Sequence, residues 1–168
     1  MTTHDIDPIT GLLRRVGFLT HLDEHLALAR QSGGPVAVLA LDVDHLAYVN
    51  YYFGPAAAEA ALGMVATVLR ARVHQGILAR FGGDEFYAIL PHVALADALI
   101  VAERVRQAAV TIDLDDPSPG VPPRCLSFSL TVVACPEHGH EARRLLALIE
   151  QGLMAAKRQG RDTVYRFP

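Results

Sequence analysis

An α/β fold of the α+β kind, with a central sheet of about five strands flanked by helices, is what this sequence predicts. Three observations carry it. Val36–Leu41 is an almost unbroken apolar run, as expected of a central strand covered on both faces. Ile77–Phe81 and Phe86–Leu90 are short apolar runs separated by Gly82-Gly83 and two acids, a tight-hairpin pattern, because the turn needs positive φ angles that glycine takes without steric cost. Between and after these runs lie segments whose apolar residues recur at helical spacing. A length of 168 residues with 51% hydrophobic content suits a single domain over residues 1–168 with one well-buried core.

Taken in order, Thr10 is expected to cap a helix running through Leu12, Val16, Phe18, Leu22, Leu26 and Leu28, ended by Gln31-Ser32-Gly33-Gly34-Pro35. His21 and His25 stand four apart on it, a metal-ligand spacing without an evident third ligand, so a solvated face is the expectation. A short helix is expected over His45–Tyr52, with Gly54-Pro55 as punctuation. A long alanine- and leucine-rich helix follows over Ala56–Val73. After the hairpin, a helix with its stripe at Leu95, Leu99, Ala102, Val105 and Ala109 leads to Asp113–Arg124, where four prolines and one glycine read as a surface loop. Leu126–Val132 alternates apolar and small polar residues, suiting a strand with one more polar face. Pro136–His140 is its exit turn, with His138 and His140 read as solvent-facing rather than as ligands. Glu141–Gln159 is the last helix, stopped by Gly160, and Thr163–Tyr165 an edge strand.

The formal net charge of −3 gives no general attraction to nucleic acid or anionic lipid, so neither is expected as a partner. Cys125 and Cys135 lie in or beside an apolar run with no paired ligand motif, which points to reduced, buried thiols and a cytoplasmic setting. No apolar run approaches membrane-spanning length, and the first residues lack the basic start and apolar stretch of a signal peptide.

The chemistry gathers at strand ends. Asp42 closes the Val36–Leu41 strand and Asp44 follows, either as a polar strand terminus or as cation ligands; with Asp84 supplied by the hairpin, the cation reading leads. Gly82 and Gly83 let a phosphate approach the turn closely. No Gly-x-x-x-x-Gly-Lys phosphate loop occurs. Phosphates would instead meet amides at the helix start near Asp44 to Ala47 and the cations Lys157 and Arg161, four apart near a helix end. Such a basic end also serves simply to complement the helix dipole.

Arg80-Phe81-Gly82-Gly83-Asp84-Glu85-Phe86 contains the signature Gly-Gly-Asp-Glu-Phe, and the chain resembles the GGDEF family of diguanylate cyclases from end to end. Asp7-Pro8-Ile9-Thr10-Gly11-Leu12 is similar to that family's opening motif, Asp42-Val43-Asp44 with Asn50 and Gly54 to its central one, and Ala156–Arg161 to its closing Ala-Lys-x-x-Gly-Arg. The resemblance implies a palm-like nucleotidyl-cyclase fold with a mostly antiparallel sheet. It also implies condensation of two GTP to cyclic di-GMP with release of pyrophosphate, by a homodimer in the cytoplasm, under a fused or separate sensor domain. It further implies Mg²⁺ or Mn²⁺ on Asp42, Asp84 and the Val43 carbonyl, Asp84 as the acid that deprotonates the hydroxyl, and Glu85 beside it, equally a residue that shapes the hairpin. The same resemblance puts guanine on Asn50 and on Glu59, where the family has aspartate, and the triphosphate on Lys157 and Arg161.

Departures from the pattern open a second reading. Ala47 replaces a lysine that opposes transition-state charge, Tyr51 replaces an aspartate, Pro55 a histidine, and Thr131 a strand glycine. Val73 and Gly76 occupy the places of arginine and aspartate in the inhibitory product site, so feedback there is expected to be missing. The alternative is a catalytically degenerate domain that binds GTP or a protein partner as a regulatory module.

Overall fold

The computed structural model describes residues 5–112 and 126–168; the expected loop over Asp113–Arg124, and Cys125, lie outside them. In chain order the elements are β1 (Leu13–Arg14), α1 (Arg15–Ser32), β2 (Val36–Val43), α2 (Leu46–Arg72), β3 (Ile77–Gly82), β4 (Glu85–Pro91), α3 (Leu95–Ala108), β5 (Phe128–Cys135), α4 (Ala142–Arg158) and β6 (Thr163–Tyr165). The six strands form one sheet in the order β1-β3-β4-β2-β5-β6. The four inner strands pair antiparallel, and the two short edge strands add parallel.

Strand alternation sends side chains to two cores. Leu39, Leu41, Phe86, Phe128 and Leu130 pack with α2 and α3 on one face. Val38, Ala40, Tyr87, Ile89 and Val133 pack with α1 and α4 on the other. All eight residues of β2 are buried, as its unbroken apolar run predicts for a strand covered on both sides. Its register sets Asp42 opposite Glu85 of β4 and Ser129 of β5, so the polar end of β2 meets the hairpin directly.

The structure corrects three expectations. Thr10 does not cap α1, which begins at Arg15 without a side-chain cap. Its hydroxyl donates to the Asp7 carboxylate at 2.7 Å, and the chain then runs through Leu13–Arg14, which pair with Ala79–Arg80 as a sixth strand. The two helices expected over 45–52 and 56–73 are both present within α2 and meet at Gly54, whose φ of 81° and ψ of 172° break the helical path where the Gly54-Pro55 pair predicted punctuation. By length and composition α2 alone among the described residues is apolar enough to cross a membrane. Its Ala61, Leu62, Val65 and Leu69 are instead buried against the sheet. The fifth strand sits further along than expected, and its polar side does not face solvent, since Ser129 and Thr131 are fully buried.

Thr131 fits there because α4 carries Gly152 opposite it. A Cβ at Gly152 would fall 2.8 Å from the Thr131 Cβ, closer than carbon atoms approach. The hydroxyl donates to the Tyr165 carbonyl at 3.2 Å, tying β5 to β6. The helix accepts a glycine, which costs about 0.5–1 kcal/mol relative to alanine, to make room for a threonine in the sheet.

Candidate active site

β2 delivers Asp42 to the α1/α4 side of the sheet, where its side chain is 4% exposed. The Lys157 ammonium, from the last turn of α4, donates to it at 2.6 Å. Burial pushes the Asp42 carboxyl up to about 6, Asp84 and Glu85 add to the rise by like-charge repulsion, and Lys157 opposes it. The sequence-predicted acids therefore converge: Asp42 feels the charge of both Asp84 and Glu85, and the amide of Val43 donates to the Asp84 carbonyl at 3.0 Å. Among the described residues no group of three or more His, Cys, Asp or Glu side chains stands at metal-binding spacing, so an ion here would rest on two carboxylates and backbone oxygen. The donor set fits a hard divalent cation. Its oxygens carry more negative charge than one lysine offsets, and the buried Asp42 is held against its ordinary tendency to ionise.

Gly82 and Gly83 form the turn with φ of 139° and 53°, and nothing lies within 4 Å of where their Cβ atoms would stand, so the turn presents bare backbone to an open space. Arg80 secures it. Its guanidinium donates to the Gly83 carbonyl at 2.7 and 3.1 Å and to both oxygens of Asp7 at 3.2 and 3.3 Å. Asp7 also accepts the amide and hydroxyl of Thr10. Burial alone would raise the Asp7 carboxyl; the Thr10 donors and Arg80 overcome that and hold it below the usual range. The opening motif thus acts as a brace for the hairpin, which its sequence spacing did not reveal.

Asp44 is occupied otherwise. Its carboxylate is fully buried and accepts the hydroxyls of Ser127 at 2.8 Å and Ser129 at 2.7 Å and the amide of Asp162 at 3.1 Å, with the Arg161 Nε 3.9 Å away. Its own amide donates to the Ser127 carbonyl at 2.9 Å, which removes it from the set of amides expected to face a phosphate. The alternation of Ser127, just before β5, with Ser129 inside it is the signal in the sequence that these hydroxyls share a face.

Asn50 and Glu59 are both exposed on α2, one on each side of the Gly54 bend, and neither hydrogen-bonds to the aspartate cluster among the described residues. Beside them Tyr51 is 81% exposed, its ring edge-on to Tyr52 at 4.9 Å. On the α4 side a groove of about 340 Å³, lined by Arg15, Phe81, Glu85, Tyr87, Glu150 and Lys157, adjoins the cluster. Burial, with Glu85 and Glu150, raises the Tyr87 hydroxyl well above its ordinary value, so it remains a neutral donor. His21 pairs with Glu24 at 3.1 Å, as a solvated face would have it. The turn histidines are engaged locally, His138 accepting the Ala134 amide and His140 lying 3.0 Å from the buried Cys135 sulfur.

The chain matches the model of the family described as diguanylate cyclase, GGDEF domain, over residues 4–163. It is 34% identical over 158 residues to diguanylate cyclase DgcP of Pseudomonas aeruginosa, covering 93% of this chain and 23% of that protein. It is 33% identical over 159 residues to the response regulator PleD of Caulobacter vibrioides, covering 94% of this chain and 35% of that one. The chain therefore spans about a quarter to a third of the length of these relatives. Among solved structures, the GGDEF domain of DgcB from Caulobacter crescentus, in complex with c-di-GMP, superposes with a TM-score of 0.86 at 25% identity, covering 98% of this chain and 94% of that one. The GGDEF domain of PA1120 from Pseudomonas aeruginosa gives 0.86 at 28%, covering 95% and 92%.

Proposed function

The chain belongs to the GGDEF domain family, and on that premise we propose that it is a diguanylate cyclase, joining two GTP into cyclic di-GMP with release of two pyrophosphates. Each 3′-oxygen attacks the α-phosphorus of the other nucleotide, its proton leaves to a base, and the bond to pyrophosphate breaks. Since one chain holds one GTP, turnover requires a homodimer. The observation that carries the proposal is the convergence of buried Asp42 with Asp84 and Glu85 at an open glycine turn, with Lys157 at 2.6 Å.

Asp42, Asp84 and the Val43 carbonyl would hold Mg²⁺ or Mn²⁺, which offsets the triphosphate charge and polarises the α-phosphoryl group. Asp84 takes the hydroxyl proton, and Glu85 sets its orientation from the first position of β4. Lys157 brings a point charge and Arg161 a fork to the leaving pyrophosphate. Gly82 and Gly83 admit the phosphates against backbone. Asn50 and Glu59 read the base: a carboxylate accepts the guanine N1–H and 2-amino group together, whereas adenine presents a bare N1 acceptor.

One observation favours the second reading, a GTP-binding regulatory module without turnover. Position 47, exposed in the first turn of α2, bears alanine and so supplies no cation at the phosphates. Incubating the protein at high concentration with GTP and Mg²⁺, then separating the nucleotides by chromatography, decides between them. Cyclic di-GMP and pyrophosphate in a 1:2 ratio support the cyclase; GTP bound but unconsumed supports the module.

A further inference from the structure

The segment that carries Arg161 has an unfavourable backbone. Gly160, Arg161 and Asp162 take φ values of 107°, 66° and 43° in succession, and the last two are side-chain-bearing residues in the left-handed region. Such a turn persists only where its surroundings hold it. Two groups do so from opposite sides. From within, Asp44 accepts the Asp162 amide at 3.1 Å while its other contacts, Ser127 and Ser129, lock it to the sheet. From outside, Arg106 of α3 donates to the Asp162 carboxylate at 2.7 Å and to its carbonyl at 3.4 Å. Arg106 is itself oriented by a two-point pairing with Glu103 at 2.7 and 3.0 Å.

We infer that Asp44 and Arg106 are positioning residues for phosphate recognition: together they clamp the 160–162 turn so that the Arg161 guanidinium is held at Asp44, just past the end of β2 that carries Asp42. This rests on the proposed role of Arg161 at the triphosphate. Neither residue needs to touch the nucleotide. Arg161 lies with its Nε 3.9 Å from Asp44, close enough for that buried carboxylate to aim it and far enough to leave its remaining donors for an incoming anion. Asp44 is thereby removed from the cation ligands and given to the arm that grips the phosphates. Arg106, on a helix of the opposite layer, links that layer to the grip through a single aspartate.

Calorimetric titration of the full chain with Mg²⁺-GTP and with GMP tests this, because Arg161 acts on the outer phosphates and not on the base. Arg161→Ala is expected to lower the ratio of GTP to GMP affinity by about tenfold. Asp44→Asn and Arg106→Ala are each expected to lower it by about three- to tenfold, with GMP affinity within twofold of the parent, and neither should lower it further in the Arg161→Ala background. Arg106 is half-buried rather than in the core, so Arg106→Ala remains informative even if Asp44→Asn fails to fold. Equal losses for GTP and GMP, or losses that persist in the Arg161→Ala background, overturn the clamp alone. An Arg161→Ala protein that keeps the parent's ratio overturns the triphosphate role of Arg161, and the clamp with it.

Discussion

Lys157 holds its ammonium 2.6 Å from the carboxylate of Asp42, a buried acid that is otherwise surrounded by negative charge from Asp84 and Glu85. One lysine therefore supplies the positive charge that lets Asp42 ionise in the ligand-free protein.

That relationship gives a pH signature. Because the folded Asp42 carboxyl titrates at about 6, above the ordinary aspartate value, the native chain keeps a proton that the unfolded chain has released. Its contribution to stability is full below about pH 4, falls as pH rises towards 6, and is gone above it, a change on the order of 3 kcal/mol. Thermal melts without divalent cation across pH 4 to 7 should show this slope in the parent relative to Asp42→Asn. Parallel curves for the two proteins would remove the assignment.

Asp84→Asn separates a metal site from a plain hairpin. Relieving repulsion from Asp42 should leave the ligand-free melting temperature unchanged or raised, while the shift on adding Mg²⁺-GTP shrinks and any turnover is lost. A variant that is destabilised yet still shifted by Mg²⁺-GTP would show Asp84 to be structural.

Arg80→Ala breaks a pair in which both side chains are nearly buried, at 10% and 13% exposure. It leaves the Asp7 carboxylate without its counter-ion and frees the Gly83 carbonyl. The expected loss is about 3 kcal/mol, or a fall in melting temperature of roughly 6–12 °C. Differential scanning calorimetry reads it directly, and a fall of less than about 2 °C would mean that the brace contributes little.

Glu59→Ala should erase the preference for GTP over ATP, since the role proposed for its carboxylate is to accept both guanine donors. Competitive titration of the two nucleotides is sufficient. A preference that survives the substitution would move base recognition elsewhere on α2.

Cyclic di-GMP should not bind at residues 73–76. Val73 is 4% exposed in the core, and a side chain at Gly76 would meet Val73 and the Ile89 carbonyl 3.2 Å away. Neither position can offer an arginine fork or a carboxylate. Product titration followed by changes at these positions tests it, and tight binding lost on altering them would refute it.

The sequence by itself determined the sheet's centre and the chemistry at its end. The unbroken apolar run before Asp42 reads as a strand buried on both faces and the glycine pair between apolar runs as a tight turn, while the pairing of β2 with β4 is what brings Asp42 to the hairpin. Helix positions were legible for a similar reason: periodicity reports which face is buried, as at Ala102 and Val105 of α3. Tertiary structure decided the polar partners. Asp7 with Arg80 and Asp44 with Asp162 are pairings across 73 and 118 residues, and no local spacing encodes them. An isolated acid in a sequence is compatible with a cap, a cation ligand or a buried brace. Which one it becomes depends on the donors that folding brings to it, because a carboxylate removed from water must find them somewhere in the chain. Thr10 took Asp7 rather than a helix end, and Ser127 and Ser129 turned to Asp44, for that one reason.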